Sequence, residues 1–436
     1  MLTPILILAA ALALYLAFNL GANDVANAMG TSVGAKSITL GQAIILAGLL
    51  EFTGAVLLGH QVSNRLVHGI IDPTAWSADP QPWLWAMVSV LLTAGLWLNL
   101  ATVLGLPVSA SHTVVGALAG AGLVAAGPQV VHWSGLGQIS LAWGVTPLVS
   151  GAIAAGFYAL LRRGILTARQ PQAALCEWLP WLSVLLFGVF GAIAFPALER
   201  TPLAALPIPR QDLWLVLGGA GSLGLTWSTL RLRQRLELSS AQASKPEQLT
   251  SSEISETLEI PEQMLGRFQI VSACFVAFAH GANDVGNAVA PVGAIAYFLD
   301  AGALPGDEFA MPLWILTLGG LGIVLGLALL GKRVIATVGE NIIELQPSSG
   351  FCAEMATATT VLLASRFGWP VSTSHALVGA VVGVGWVKLR DWRKIQLSTL
   401  RSIALTWGIT IPAAGGIAAL IFTGIRSGNS LLSPGI

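Results

Sequence analysis

Charge is what this chain has least of. Only 10% of its 436 residues are Asp, Glu, Lys or Arg, against 55% hydrophobic, and the mean hydropathy is +0.76. So little charge argues against a soluble globular domain, and a formal net charge of +0 argues against a nucleic-acid partner. Cysteine is scarce as well. Cys176, Cys274 and Cys352 show no metal-ligand spacing, and two of them lie in apolar runs. They read as small packing residues rather than as redox or disulfide groups. Alternation of apolar and polar residues is missing, which argues against a transmembrane β-barrel. Met1 to Leu20 is apolar but has no positively charged start, so it reads as a first membrane helix and not as a cleaved signal.

Long apolar runs are what the chain does have. Twelve segments of roughly bilayer-spanning length cover about 3–29, 40–60, 83–104, 107–127, 138–160, 179–197, 212–230, 267–299, 310–331, 350–366, 370–387 and 399–425. The one long polar stretch, 231–266, carries Ser239-Ser240, Lys245-Pro246 and Ser251-Ser252 and reads as a solvated, mobile linker. Trp76, Trp83, Trp85, Trp133, Trp178, Trp181 and Trp392 lie near segment ends, as interface anchors should. If all twelve segments cross, sixteen of the 21 Lys and Arg residues fall on loops after odd-numbered segments. Only Arg65, Arg200, Arg210, Arg366 and Arg426 fall on the other side. The positive-inside rule then makes the odd loops cytoplasmic and puts both termini outside.

The chain repeats itself. Gly21-Ala22-Asn23-Asp24-Val25-Ala26-Asn27-Ala28 returns as Gly281-Ala282-Asn283-Asp284-Val285-Gly286-Asn287-Ala288. Pro107-Val108-Ser109-Ala110-Ser111-His112-Thr113 is answered by Pro370-Val371-Ser372-Thr373-Ser374-His375-Ala376, and Trp143-Gly144-Val145-Thr146 by Trp407-Gly408-Ile409-Thr410. The offsets, 260, 263 and 264 residues, are nearly constant. An odd number of crossings separates the copies, so the second is upside down relative to the first. Inverted repeats with interrupted helices are a pattern of secondary transporters, whose sites lie near the midplane. The division expected is 1–160 as first repeat, 161–230 as connecting helices, 231–266 as cytoplasmic linker and 267–436 as second repeat. The Ser/Thr-rich stretches 107–127 and 370–387 are either full spans or re-entrant hairpins.

Of the acids, Asp24, Glu51, Asp284 and Glu354 fall well inside apolar segments. Each costs about 2.5–3.5 kcal/mol on insertion scales, so such groups are functional by default, the bland alternative being a packing hydrogen bond. No Lys or Arg shares this interior. Protons or bound cations must therefore neutralise the carboxylates. Asparagine oxygens and hydroxyls are hard ligands suited to an alkali cation and poor for zinc or copper. If the segment is helical, Asp24 with Asn27, and Asp284 with Asn287, share one face at i, i+3. Asn23 and Asn283 point elsewhere, across a break at the preceding glycine.

The Pro-Val-Ser-x-Ser-His stretches read as helix first turns whose free N–H groups and hydroxyls can hold an anion without a basic side chain. One from each half could enclose a small oxyanion; helix capping by serine is the alternative. His112 and His375 are either hydrogen-bonded structural residues or groups that line the site or handle protons. Ser111 and His112 do not face each other on a helix, and no further His or Cys ligands accompany the pair. His280 has Leu20 at the matching position, so any function there is asymmetric.

At these residues the chain closely resembles the inorganic phosphate transporter (PiT) family of sodium- or proton-coupled phosphate permeases. The paired Gly-Ala-Asn-Asp-Val-x-Asn-Ala motifs carry the resemblance, with the Pro-Val-Ser-x-Ser-His copies, Glu51-Phe52-Thr53-Gly54, Gly350-Phe351-Cys352-Ala353-Glu354 and Ala279-His280-Gly281 beside them. It covers roughly 3–160 and 267–425. The resemblance implies an all-α polytopic membrane protein, about twelve transmembrane segments in two inverted repeats with broken or re-entrant helices. It implies a symporter and not an enzyme, with inorganic phosphate as substrate, Na⁺ or H⁺ as coupling ion, no cofactor, and a homodimer in the bilayer, taken as a prokaryotic plasma (inner) membrane. Na⁺ is expected at Asn23, Asp24, Asn283 and Asp284. Phosphate is expected at Ser109, Ser111, His112, Thr113, Ser372, Thr373, Ser374, His375, Asn27 and Asn287. Glu51, Glu354, Thr146 and Thr410 are expected to couple or gate. A sulfate permease of the same family is the nearest alternative; a membrane hydrolase and a passive anion channel are the more distant ones.

Overall fold

With so few side-chain partners available in lipid, the backbone has to satisfy itself, and helix is how a chain of this composition does so. The computed structural model describes residues 4–104, 108–198, 210–243, 253–306, 309–338, 345–390 and 397–432. Among them are twelve α-helices: α1 (Pro4–Gly34), α2 (Leu40–Gly69), α3 (Gln81–Leu104), α4 (Ala110–Ala126), α5 (Trp133–Leu161), α6 (Pro171–Leu198), α7 (Arg210–Ala243), α8 (Glu253–Ala301), α9 (Leu313–Val338), α10 (Pro347–Arg366), α11 (Thr373–Leu389) and α12 (Leu397–Leu432). An isolated bridge between Ile71 and Val131 is the sole β-pairing among the described residues. Each of the twelve apolar segments corresponds to one helix. Eight are long and apolar enough to cross a membrane. The 17-residue α4 and α11 are shorter apolar helices, each about 26 Å long at ~1.5 Å per residue.

Three expectations need correction. The stretch read as loose linker is helical at both ends, since α7 runs on to Ala243 and α8 begins at Glu253; residues 244–252 lie outside the described residues. The second correction concerns the octapeptides. α1 and α8 pass through Gly21 and Gly281 without a break. These glycines serve close packing instead: a Cβ on Gly21 would strike the Ile323 backbone, and one on Gly281 the Glu51 backbone. Trp76 and Trp83, read as interface anchors, are packed inside the protein, whereas Trp133, Trp178 and Trp181 are exposed; Trp392 lies outside the described residues.

The packing pairs helices across the two halves. α2 lies along α8 and α1 along α9; α5 lies along α11 and α4 along α12. The contacts come in matched sets, Gly54 on Phe278 answering Gly326 on Phe18, and Gly116 on Ile411 answering Gly379 on Pro147. Small residues allow backbones to approach this closely where lipid gives no hydrophobic drive to associate. The outer surface stays apolar, with Val103, Leu215 and Leu420 about three-quarters exposed, as lipid-facing residues are.

Candidate functional site

α1 and α8 meet where the octapeptides lie. Further along α1, Thr31 and Ser32 donate to Glu354, and so does Ser272, which precedes the octapeptide on α8. Advancing along α1 thus means going backwards along α8, so the helices bearing the two copies run antiparallel.

At their crossing sits a cluster of ionisable groups, all buried. His280 Nε2 is 2.9 Å from Asp284 Oδ2 and 3.9 Å from Asp24 Oδ2, while its Nδ1 is 3.3 Å from Glu51 Oε1. None of these contacts has hydrogen-bond geometry, so charge rather than a directed bond relates the groups. Asp24, His280 and Asp284 each place a ligand atom within 4.8 Å of the others. His280 corrects the expectation that no positive side chain could reach the interior acids: when protonated, it supplies one charge against three carboxylates. Two signals in the sequence pointed to it, the Ala279-His280-Gly281 match to the family motif and the mismatch with Leu20, but neither named the carboxylates it meets.

The asparagines divide by half. Asn27 Nδ2 donates to Asp24 Oδ1 at 2.8 Å and Asn23 Nδ2 to the same atom at 3.2 Å. Asp24 and Asn27 therefore share a face, as their spacing predicts. In the second half Asn283 Nδ2 turns to Ser365 Oγ (2.9 Å) and the Trp369 carbonyl (3.1 Å), and Asn287 Nδ2 to Ser111 Oγ (3.4 Å). That leaves Asn283 Oδ1, Asp284 Oδ1 and Asn287 Oδ1 buried and accepting no hydrogen bond from the protein. Three orphaned oxygen acceptors at positions 283, 284 and 287 of one helix are costly unless a cation or a donor meets them. Their chemistry fits a hard monovalent ion and not a soft metal.

The Ser/His stretches form two buried helix N-termini that face one another. Ser109 Oγ accepts the His112 N–H at the start of α4, and Ser372 Oγ accepts the His375 N–H at the start of α11, both at 3.4 Å. Each is an N-cap, so the capping alternative holds for these two hydroxyls. Capping does not exhaust a first turn, whose remaining N–H groups keep the positive end of the helix available to an anion. Ser111 Oγ donates across to the Val371 carbonyl at 2.9 Å, and the His112 and His375 rings lie 4.7 Å apart, edge to face. Thr113 Oγ1 bonds the Ser109 carbonyl, Ser374 pairs with Ser372, and Thr373 Oγ1 is buried without a partner. His112 packs tilted against Trp143, ring centroids 3.9 Å apart, and His375 tilted against Trp407 at 3.4 Å; His375 Nδ1 also reaches the Trp143 carbonyl. The tryptophans had figured only as repeat markers.

The Asn287–Ser111 bond joins this cradle to the acid cluster, so anion donors and cation acceptors adjoin. Two other groups stand apart. Glu354 lies two helical turns from Asp24 along α1, held by Thr31 (2.5 Å), Ser32 (2.6 Å), Ser272 (2.7 Å) and Gln269 (3.3 Å). Its partners are separated from it by up to 323 residues and were not legible as a set. Thr146 and Thr410 spend their hydroxyls on carbonyls of their own helices, at Ala142 and Thr406.

The sequence pattern of the phosphate transporter family matches residues 20–418. The chloroplastic inorganic phosphate transporter 2-1 of Arabidopsis thaliana is 38% identical over 432 residues, 95% of this chain and 71% of its own length. A candidate phosphate permease of Pyrococcus abyssi is 37% identical over 96% of this chain and 97% of its own. A solved structure described as the sodium-dependent phosphate transporter matches with a TM-score of 0.85 at 33% identity, covering 97% of this chain and 99% of that one. The chain belongs to the phosphate transporter family and is an integral membrane protein of phosphate transport.

Proposed function

We propose that the protein is a secondary active symporter that brings inorganic phosphate inward together with Na⁺, by alternating access around the crossing of α1 and α8. The observation that carries this reading is the adjacency of two opposite chemistries. Orphaned oxygens of Asn283, Asp284 and Asn287 call for cations, and one bond away Ser111 opens the facing N-termini of α4 and α11, which suit an oxyanion. Phosphate carries between one and two negative charges near neutrality. Placing it beside Asp24, Asp284 and Glu51 is prohibitive unless cations come with it.

In this reading Asp24 and Asp284, with Asn23 and Asn283, hold Na⁺. The first turns of α4 and α11, with Asn27 and Asn287, hold phosphate. Glu51 and Glu354 respond to loading. The antiparallel course of the two octapeptide helices supports inverted halves that exchange roles between outward and inward states. The structural relative described as sodium-dependent supports Na⁺ as the ion. His280 among three carboxylates favours a second reading, in which a proton replaces or accompanies Na⁺ at the same cluster.

Uptake of labelled phosphate into proteoliposomes under separate Na⁺ and H⁺ gradients decides between them. Uptake should depend on Na⁺ and collapse when choline replaces it. Uptake unchanged in choline removes the sodium version, and a proton gradient that sustains it selects the other.

A further inference from the structure

The course of α10 and α11 can be followed by what they touch. Along α10, Ser348, Gly350, Glu354 and Ser365 meet Glu262, Gln269, Ser272 and Asn283 of α8 in that order. α10 therefore runs beside α8, and from Ser348 to Ser365 it covers about 26 Å at ~1.5 Å per residue, ending at the central site. α11 comes back. His375, Gly379, Gly383 and Val387 meet Trp143, Pro147, Gly151 and Arg162 in turn. The two helices form a hairpin whose tip is half of the Ser/His cradle. Both of its ends lie at the face of the protein where α8 begins.

Each end is tied by a side chain of the matching charge. Glu262 of α8 accepts the Ser348 N–H (2.8 Å) and Oγ–H (2.6 Å) in the first turn of α10. Arg162, just past α5, donates from Nη1 to the Val387 carbonyl (2.7 Å) in the last turn of α11. A helix leaves its first N–H groups and last carbonyls without partners, positive at one end and negative at the other. An acid and a base are therefore the fitting caps. Lys388, next to Val387, attracts Glu262 and draws the two ends together. Behind these bonds, Phe351 of α10 packs edge-on against Phe157 of α5 and Phe268 of α8, ring centroids 5.3 and 5.5 Å away. Glu262 and Arg162 are half-buried, whereas Phe351 and Cys352 are wholly buried.

The other half does not repeat this arrangement. By the repeat offsets, Leu2 answers Glu262, Trp85 answers Ser348 and Arg426 answers Arg162. Arg426 is exposed, and among the described residues the last carbonyls of α4 are met locally, Leu123 by the Gly127 N–H and Ala126 by the Gln129 amide. Bonds that a hairpin needed merely to hold together would recur in both halves. Bonds confined to one half can set when that half opens.

We propose that Glu262 and Arg162 are positioning residues that latch the α10–α11 hairpin shut, and that the latch parts to release cargo at the face where α8 begins. As it parts, the hairpin leaves α8 and α5, the phenylalanines separate and the cradle gains a path to that face. This rests on the transport reading, and the loop charges make that face the cytoplasmic one.

Cys352, one helical turn beyond Ser348, reports the opening. The full chain with Cys176→Ala and Cys274→Ala is placed in sealed vesicles of either orientation and labelled with a membrane-impermeant thiol reagent. Glu262→Ala and Arg162→Ala should each speed labelling about tenfold from the face where α8 begins, and less than about twofold from the other. Glu262→Gln keeps an acceptor for Ser348 and should fall between; Arg426→Ala should change neither rate. Unchanged rates, or equal gains from both faces as a loosened fold gives, overturn the proposal. A second measurement joins Glu262→Cys to Ser348→Cys through a short reducible thiosulfonate linker, with the native cysteines replaced by alanine. The link should stop phosphate exchange across the bilayer, and reduction should restore it. Exchange at the unlinked rate overturns the proposal. If the alanine variants label faster from the one face while no ion gradient drives uptake, the latch stands and the symport reading falls.

Discussion

The two halves place the same backbone crossing around different chemistry. Gly281 of α8 lies on Glu51 of α2, and Gly21 of α1 lies in the same manner on Ile323 of α9. One residue before each glycine stands His280 in one case and Leu20 in the other, all four side chains being buried. One crossing therefore encloses an imidazole and a carboxylate, and its twin encloses two aliphatic side chains. Repetition preserved the glycines, which set how closely helices approach, and left the polar groups free to diverge. What looks from the repeated motifs like two equal half-sites is lopsided. Asp24 is bonded by its own asparagines, whereas Asp284 faces His280 and keeps one oxygen orphaned.

The strongest way to break this comparison is to remove the charge that the halves share. Asp284→Asn and Asp24→Asn should each lower coupled uptake in proteoliposomes by about a hundredfold, ~2.7 kcal/mol at 1.36 kcal/mol per decade, while the protein still inserts and purifies. Wild-type rates from either variant would sink the roles assigned to both. A sharper test makes the second half copy the first. His280→Leu strands Glu51 in the interior and should destabilise the protein by about 3–5 kcal/mol, read as thermal unfolding in detergent. Adding Glu51→Ile should restore the stability but not the transport. Recovery of uptake by the double variant would mean that the pair serves packing alone.

A smaller difference separates the two anion cradles. Ser111→Ala loses a donor to Val371 and the acceptor for Asn287, so KM for phosphate should rise about five- to tenfold, ~1–1.4 kcal/mol. Ser374→Ala gives up its bond to Ser372 and should shift KM about twofold. Equal effects would argue for symmetric cradles. Smallest of all, Thr146→Val and Thr410→Val should leave uptake within about twofold, since both hydroxyls serve their own helices. A large loss in either would support the coupling or gating role expected of them.

Helix number and placement were legible because in lipid a run of apolar residues has few alternatives to helix. The facing of Ser109–Thr113 and Ser372–His375 was legible too, through repetition and the proline-led first turn. The neighbours of Glu354 were not: Thr31, Ser32, Gln269 and Ser272 are ordinary residues in apolar segments, and only the antiparallel packing of α1 and α8 aims them at one carboxylate. Helical breaks were expected at Gly21 and Gly281 because glycine permits both a break and a close crossing, and a single sequence does not tell which. His280 was singled out as asymmetric but without its partners, since a lone histidine acquires meaning only from what the other half brings to it.

The pairing of α1 with helices of the far half has a consequence for how the protein is made. Synthesis proceeds at about 5–20 residues per second, so the 256-residue separation from Asp24 to His280 takes roughly 10–50 s to emerge. Throughout that interval α1 is in the membrane without α8 or α9, its aspartate and three asparagines facing lipid or whatever the insertion machinery offers. A ribosome that stalls midway thus leaves behind a fragment with polar groups and glycine-lined grooves that only the missing half can cover, a natural substrate for membrane quality control.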